Sequence, residues 1–269
     1  MPQIFRQGGP LDYEIIDITP PWIINPETVL FCHGVATNRH IWSGWLPALM
    51  DQFRVVWFDT RGFGQSHVPG PDYNWSMDLL ADDIIAIADA IDCKPFHLVG
   101  ESLGGTISLY LASRIPDAVR SVTAVSTSHR GGSIRKAKEW RDFVEANGMS
   151  GWSKDMLADR FFPDAVTEDI WAWFDGVQCA TSADSLLNLA DLLIGSDFSK
   201  ELSKIKAPTL LLAPDSSPFV STDLTADIHR LIPNSEIQVF PGARHGLACS
   251  HGVECSFALL DFFARQELA

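Results

Sequence analysis

Leu98-Val99-Gly100-Glu101-Ser102-Leu103-Gly104-Gly105 decides how this chain is read. One serine stands with a glycine two residues before it and another two residues after it, between the short apolar run Pro95–Val99 and the helix-compatible run 106–112. A strand that turns this tightly into a helix puts the serine at a strained apex, and a Cβ at Gly100 or Gly104 would collide with the neighbouring backbone. Gly-x-Ser-x-Gly by itself is a weak signal, and its placement between a strand and a helix is what strengthens it. The plain alternative is a glycine-rich βα turn.

The runs around this stretch alternate. Residues 11–18 alternate polar with apolar, as a half-exposed strand does, and Pro20, Pro21 and Pro26 mark a surface connection. Residues 27–32 form a buried-type strand ending in His33-Gly34-Val35-Ala36, and residues 41–49 read as a short helix carrying two tryptophans. A strand at 53–59 runs into Asp59-Thr60-Arg61-Gly62-Phe63-Gly64-Gln65-Ser66, which lacks the Gly-Lys-Ser/Thr ending of a phosphate loop. Asp59 and Arg61 are therefore expected to pin that turn by charge-assisted hydrogen bonds. A helix over 76–92 starts at Ser76, and further buried strands follow at 118–126, 209–213 and 235–240 before a closing helix at about 253–267. The β, α, β, α order predicts an α/β fold with a parallel, doubly wound sheet. Residues 131–199 differ: they carry helical periodicity and aromatic clusters with no strong strand signal, and read as a helical cap. The division is thus a core of 1–130 and 200–269 with a cap insertion at 131–199.

Composition sets bounds on partners. The chain has 269 residues and a formal net charge of −14, which argues against nucleic acid or an anionic membrane, since both attract basic faces. The five cysteines (Cys32, Cys93, Cys179, Cys249 and Cys255) have neither metal-ligand spacing nor a disulfide-like pattern, which suits a reducing compartment. With no basic-then-apolar leader and no run of eighteen apolar residues, a cytoplasmic protein is expected. A small-molecule substrate is the expected partner, with no cofactor or metal, and a homodimer is left open.

The loop after strand 27–32 is where free backbone amides could stabilise an oxyanion, and the N–H of Val35 is assigned that role. The side chain of His33 reads chiefly as a structural group that hydrogen-bonds the loop, with a place in the substrate pocket as the alternative.

Taken in order and with their gaps, His33-Gly34, residues 59–66, residues 100–105 and Pro241-Gly242-Ala243-Arg244-His245 resemble the α/β-hydrolase fold superfamily, in its 3-oxoadipate enol-lactonase and esterase-like branch. The resemblance covers nearly the whole chain apart from the cap. It implies Ser102 as nucleophile, His245 as its base, and an oxyanion hole from the amides of Val35 and Leu103. His40, His67, His97, His129, His229 and His251 lack the Pro-Gly-x-x-His setting. The acid departs from the family pattern. Its customary position in 213–218 holds Ser217, so the expectation falls on Asp215, with Asp223 second; the loop 126–129 offers no carboxylate. Some of Trp152, Phe161, Trp171 and Trp173 are expected to line an apolar pocket over Ser102, the alternative being that they only join cap to core.

The resemblance implies a serine hydrolase of an ester, enol-lactone or related small acyl substrate, working through an acyl-enzyme. C–C bond hydrolysis or cofactor-free dioxygenase-type proton abstraction is a second reading. A ligand-binding receptor with vestigial hydrolysis is a third.

Overall fold

Parallel strands covered on both faces must be apolar at successive positions rather than alternately, and that is where this chain spends its Val, Leu and Phe. The computed structural model describes residues 2–267. In chain order the strands are β1 (Gln3–Arg6), β2 (Gly9–Ile16), β3 (Thr28–Cys32), β4 (Arg54–Phe58), β5 (Phe96–Glu101), β6 (Val119–Val125), β7 (Thr209–Pro214) and β8 (Ser235–Phe240). They form one sheet in the order β1-β2-β4-β3-β5-β6-β7-β8. Strands β3 to β8 pair in parallel, and β1 and β2 add on antiparallel at one edge. Every residue of β3, β5 and β7 is buried.

Successive side chains on these strands serve opposite layers. Leu30 and Cys32 of β3, with Phe96 and Leu98 of β5, pack towards α2 (Met77–Ala90) and α3 (Leu103–Arg114). Val29, Phe31 and Val99 pack on the other face, with Trp42, Trp45 and the C-terminal helices α8 (Leu247–Ser250) and α9 (Gly252–Glu267). Helix α2 begins where expected, because the Ser76 hydroxyl accepts the Leu79 N–H at 3.1 Å and so caps a free donor of the first turn. The helix expected over 41–49 is instead a 3₁₀ turn (Arg39–Trp42) followed by the single turn α1 (Leu46–Leu49). Ser43, Gly44 and Trp45 separate the two, and Pro47, in the first turn of α1, lacks the N–H that a helix continued from the turn would need. Strand β1 escapes sequence reading because it is four residues long and mostly exposed.

Asp59 and Arg61 do pin their turn, each with partners from other segments. Asp59 accepts the backbone N–H of Arg39 (2.9 Å) and of Gln65 (2.8 Å). Arg61 makes a bidentate bond to Asp83 of α2, with both N–O distances 2.9 Å.

Residues 131–199 contain the helices α4 (Trp140–Arg160), α5 (Glu168–Ala180) and α6 (Ala183–Ile194) and, among the described residues, no strand. Helix α4 breaks at Gly148, whose φ of 67° lies in the left-handed region. After them comes α7 (Thr222–Leu231), between β7 and β8. The sheet changes winding direction between β3 and β5, so the loops leaving those strands face a crevice at their C-terminal ends.

Candidate active site

Four loops meet at that crevice. Ser102 follows β5 directly, at φ 55° and ψ −117°, which is a strained conformation for a residue with a side chain. The surroundings hold it there. Its N–H donates to Val125 O at 2.9 Å, while its carbonyl accepts from Thr106 N (3.0 Å) and the Thr127 hydroxyl (2.7 Å). A Cβ on Gly104 would drive into the carbonyl of Cys32 in β3, and one on Gly100 into the carbonyl of Gly104. Helix and strand can approach this closely only through glycine. The Ser102 hydroxyl projects at the N-terminus of α3, where the helix dipole favours developing negative charge.

His245 sits in the loop after β8, 5 % exposed, with Nε2 3.1 Å from Ser102 Oγ. The amides of Val35 and Leu103, among the described residues, donate to no protein acceptor, and Val35 borders the same cavity as Ser102 and His245. Ser102 Oγ, His245 Nε2 and two free amide donors are thus brought together at one place.

The acid is not. Ser217 Oγ lies 3.2 Å from His245 Nδ1, in the place of a triad carboxylate, and also accepts the backbone N–H of Phe219 and Val220. Asp215, the expected acid, is exposed and bound elsewhere: its Oδ1 accepts the Gly242 N–H at 2.9 Å and the Ser216 hydroxyl at 2.7 Å. Those bonds hold its carboxyl below the usual range and turn it onto the β8 loop. Asp223 is exposed in the first turn of α7, behind the Ser221 cap. Two mutations follow from this placement. Asp215→Asn is expected to leave kcat within about threefold, as an exposed substitution away from the reacting atoms should. Ser217→Asp, by putting a carboxylate on Nδ1, is expected to raise kcat by about tenfold or more. Steady-state kinetics on one ester substrate checks both.

The buried polar groups nearest the pair come from unexpected positions. Glu101, the last residue of β5, is 2 % exposed, and burial pushes its carboxyl up to about 7 against the opposing pull of Arg160. Arg160, at the end of α4, is 1 % exposed. Its Nη2 donates to Val35 O at 3.0 Å, its guanidinium lies 5.1 Å from the centre of the Phe174 ring, and its own carbonyl accepts the N–H of Gly246. One residue of the cap therefore braces both the oxyanion loop and the histidine loop. Burial, and then the charge of Arg160, pushes His245 down to about 3.

The cavity over Ser102 is narrow, about 20 Å³, which is room for one water molecule or so. Its walls include Ile134, Trp140, Leu193 and Phe219, and its polar margin Thr106, Ser126 and Ser128; among the described residues no Asp, Glu, Lys or Arg lines it. The pocket residues expected from sequence lie elsewhere. His33 is fully buried, with Nδ1 2.7 Å from Gly34 O and Nε2 accepting the Thr60 N–H at 2.9 Å, so it is a loop staple. Trp152 is 1 % exposed and stands behind the cavity, edge-on to Trp140 at 5.4 Å. Phe161 packs on Phe174 and against Gly246, and Trp171 packs against Phe161. Trp173 borders a separate, more open recess of about 470 Å³ beside Phe63 and Val177. Trp140 and Phe219 are the aromatic residues that do line the cavity. Truncating Trp152 to Ala is accordingly expected to destabilise the fold by about 3–5 kcal/mol, read as a lower denaturation midpoint, with kcat/KM of the folded fraction changed far less.

Residues 27–169 match the model of the alpha/beta hydrolase fold family. The 3-oxoadipate enol-lactonase 1 of Acinetobacter baylyi is 29 % identical over 225 residues, covering 80 % of this chain and 79 % of that protein. A putative carbamate hydrolase of Pantoea ananatis is 26 % identical, covering 89 % of each. Among solved structures, the enol-lactonase of Burkholderia xenovorans superposes with a TM-score of 0.84 at 22 % identity, over 98 % of this chain and all of that one. A bromoperoxidase of Bacillus anthracis gives a TM-score of 0.86 at 23 % identity, over 98 % and 99 %. With more than half its length matched by the family model, and with the elbow, histidine loop and crevice in place, this chain is a hydrolase of the alpha/beta hydrolase fold family.

Proposed function

We propose that the chain hydrolyses small, uncharged esters or lactones through an acyl-enzyme on Ser102. The observation that carries this reading is the 3.1 Å contact between Ser102 Oγ and His245 Nε2 beside two unengaged amides. In the first half-reaction Ser102 Oγ attacks the carbonyl carbon as its proton passes to Nε2. The carbonyl oxygen takes up negative charge between the N–H groups of Val35 and Leu103, each worth on the order of 3 kcal/mol in the transition state. Collapse expels the alcohol or enolate, which receives the proton from Nε2. In the second half-reaction His245 takes a proton from water, whose oxygen attacks the acyl carbon, and Ser102 leaves with that proton restored. In a lactone the freed hydroxyl or enol remains part of the acyl chain, so the second step releases a single acid that carries it.

The absence of charged side chains from the cavity wall supports a neutral acyl group, since a buried carboxylate without a partner carries a heavy desolvation cost. The narrowness of the cavity requires the cap to yield before a substrate enters, as lids over active sites commonly do. The relatives named as an enol-lactonase and a putative carbamate hydrolase act, by those names, on acyl–oxygen or acyl–nitrogen compounds, which is the same reaction class.

A panel of p-nitrophenyl esters tests the reading. Acetate and butyrate esters are expected to turn over after an initial burst, with hemisuccinate at least about tenfold poorer in kcat/KM, a 1.4 kcal/mol penalty for the second charge. Preference for the hemisuccinate would contradict the neutral pocket, and no turnover of any ester would contradict the hydrolase reading.

A further inference from the structure

The pair Ser102–His245 lacks the carboxylate that ordinarily stabilises an imidazolium. Ser217 can orient the ring through Nδ1, but it carries no charge. Arg160 makes matters worse, because its positive charge disfavours a second one on His245. A proton nonetheless has to reach that ring in the transition state.

One carboxylate is built into the same buried region. Glu101 adjoins Ser102 in sequence, and a methyl placed on Gly34 would lie 3.0 Å from Ser102 Cβ and 3.1 Å from Glu101 Oε2, so both crowd the same face of that glycine. Glu101 Oε2 is buried with no protein hydrogen-bond partner, and so are Nε and Nη1 of Arg160. No ion pair within 4.0 Å joins the two side chains, although the charge of each acts on the other. A structural salt bridge would be closed, and a carboxylate with no task would be expensive to bury in this state.

Resting on the serine-hydrolase reading, we propose that Glu101 supplies the negative charge the Ser102–His245 dyad lacks, offsetting Arg160 and supporting the His245 imidazolium through space in place of a triad carboxylate. Glu101 is a positioning residue by this account, since it touches neither substrate nor the proton in flight. The charged and titratable groups whose charges act on it or feel its own are Arg160 from α4, Cys249 from α8 and Cys255 from α9, and His245 is reached by way of Ser102, whose Oγ lies 3.1 Å from its Nε2. Burial pushes the Cys249 thiol up to about 12, so it stays neutral.

The sign of the pH dependence follows. Glu101 must be ionised to help, and its carboxyl is pushed up to about 7, so kcat/KM should rise through about pH 7 as the proton leaves. His245 itself must be neutral, and with its pKa pushed down it would by itself impose a limb only well below 6.5. If Glu101 supports His245 as proposed, the wild-type limb belongs to the pair, with Glu101 the group whose removal abolishes it.

The test is Glu101→Gln, which keeps shape and removes charge. Expected are a kcat lower by about 10–100-fold, the effect of one unit charge at this range in a protein-like dielectric, a KM changed less than about twofold by the same reasoning, and loss of the limb near pH 7. A kcat unchanged from wild type, or a lowered kcat with the limb unmoved, overturns the proposal. Should the variant fail to fold, the wild-type protein still decides: the carboxyl band of a protonated buried acid, followed by infrared spectroscopy against pH, must titrate with the midpoint of the kcat/KM limb, and its absence overturns the proposal. Fluorophosphonate labelling separates the two levels. An unlabelled Ser102 in the wild type refutes the serine-hydrolase reading beneath, whereas a labelled Ser102 with an unmoved limb in the variant refutes only the role of Glu101.

Discussion

Ser102→Ala is expected to reduce kcat on every accepted ester by about 10⁴-fold or more, with the fold and its denaturation midpoint preserved. The reason lies in the elbow itself. The strain at φ 55° is held by the residue 102 N–H donating to Val125 O and by its carbonyl accepting from Thr106 and Thr127, and none of these involves the Oγ atom. Alanine therefore keeps every backbone bond and removes the one atom that attacks. The two amides and the cavity remain, so a residual rate above water is expected from oxyanion stabilisation alone. Retention of more than about a tenth of wild-type turnover, which no loss of a nucleophile permits, would exclude covalent catalysis by this residue.

His245→Ala should cost about 10⁴-fold in kcat as well, and its effect should not add to that of Ser102→Ala. The two side chains act as one unit through the 3.1 Å contact, so the double variant should be about as slow as either single one. His245 packs edge-on against Phe219 at 4.9 Å and is almost wholly enclosed, so the variant also opens space beside the cavity. Added imidazole should then recover part of the activity in His245→Ala and none in Ser102→Ala. Full additivity of the two losses, or rescue of both variants, would show that the pair does not work as nucleophile and base.

How much of this was legible in the sequence depends on how local the physics is. The elbow is local: Gly100, Ser102 and Gly104 are spaced by the turn itself, and the clashes their Cβ atoms would make are with backbone only a few residues or one strand away. His245 was legible through its loop, Pro-Gly-x-x-His after the last strand. The acid was not, because a carboxylate two residues from the expected position can be turned away by hydrogen bonds no sequence displays, here those from Gly242 and Ser216 to Asp215. Ser217 stood at the customary position in the sequence, and its side chain is the one that reaches Nδ1.

Glu101 was missed although it lies inside the opening stretch. The available signal was a carboxylate at the end of a wholly buried strand that is apolar apart from His97, where an unpaired carboxylate has no structural reason to be. Arg160 gave no such sign, since a basic residue in the last turn of a helix is ordinary dipole chemistry. The cap aromatics illustrate the limit of periodicity. Their spacing shows that Trp152, Phe161, Trp171 and Trp173 are to be buried or half-buried, but which faces meet the cavity depends on how three helices lie over the sheet, and that placed Trp140 there instead, beside Phe219 from the loop after β7.

The acyl-enzyme is the central claim, and rapid quenching of p-nitrophenyl acetate turnover followed by mass spectrometry measures it most directly. Expected are a burst of nitrophenol equal to the enzyme concentration and an acetyl group on the peptide that contains Ser102. Steady turnover with neither burst nor acetylated Ser102, under conditions where deacylation is slow enough to trap, would contradict it.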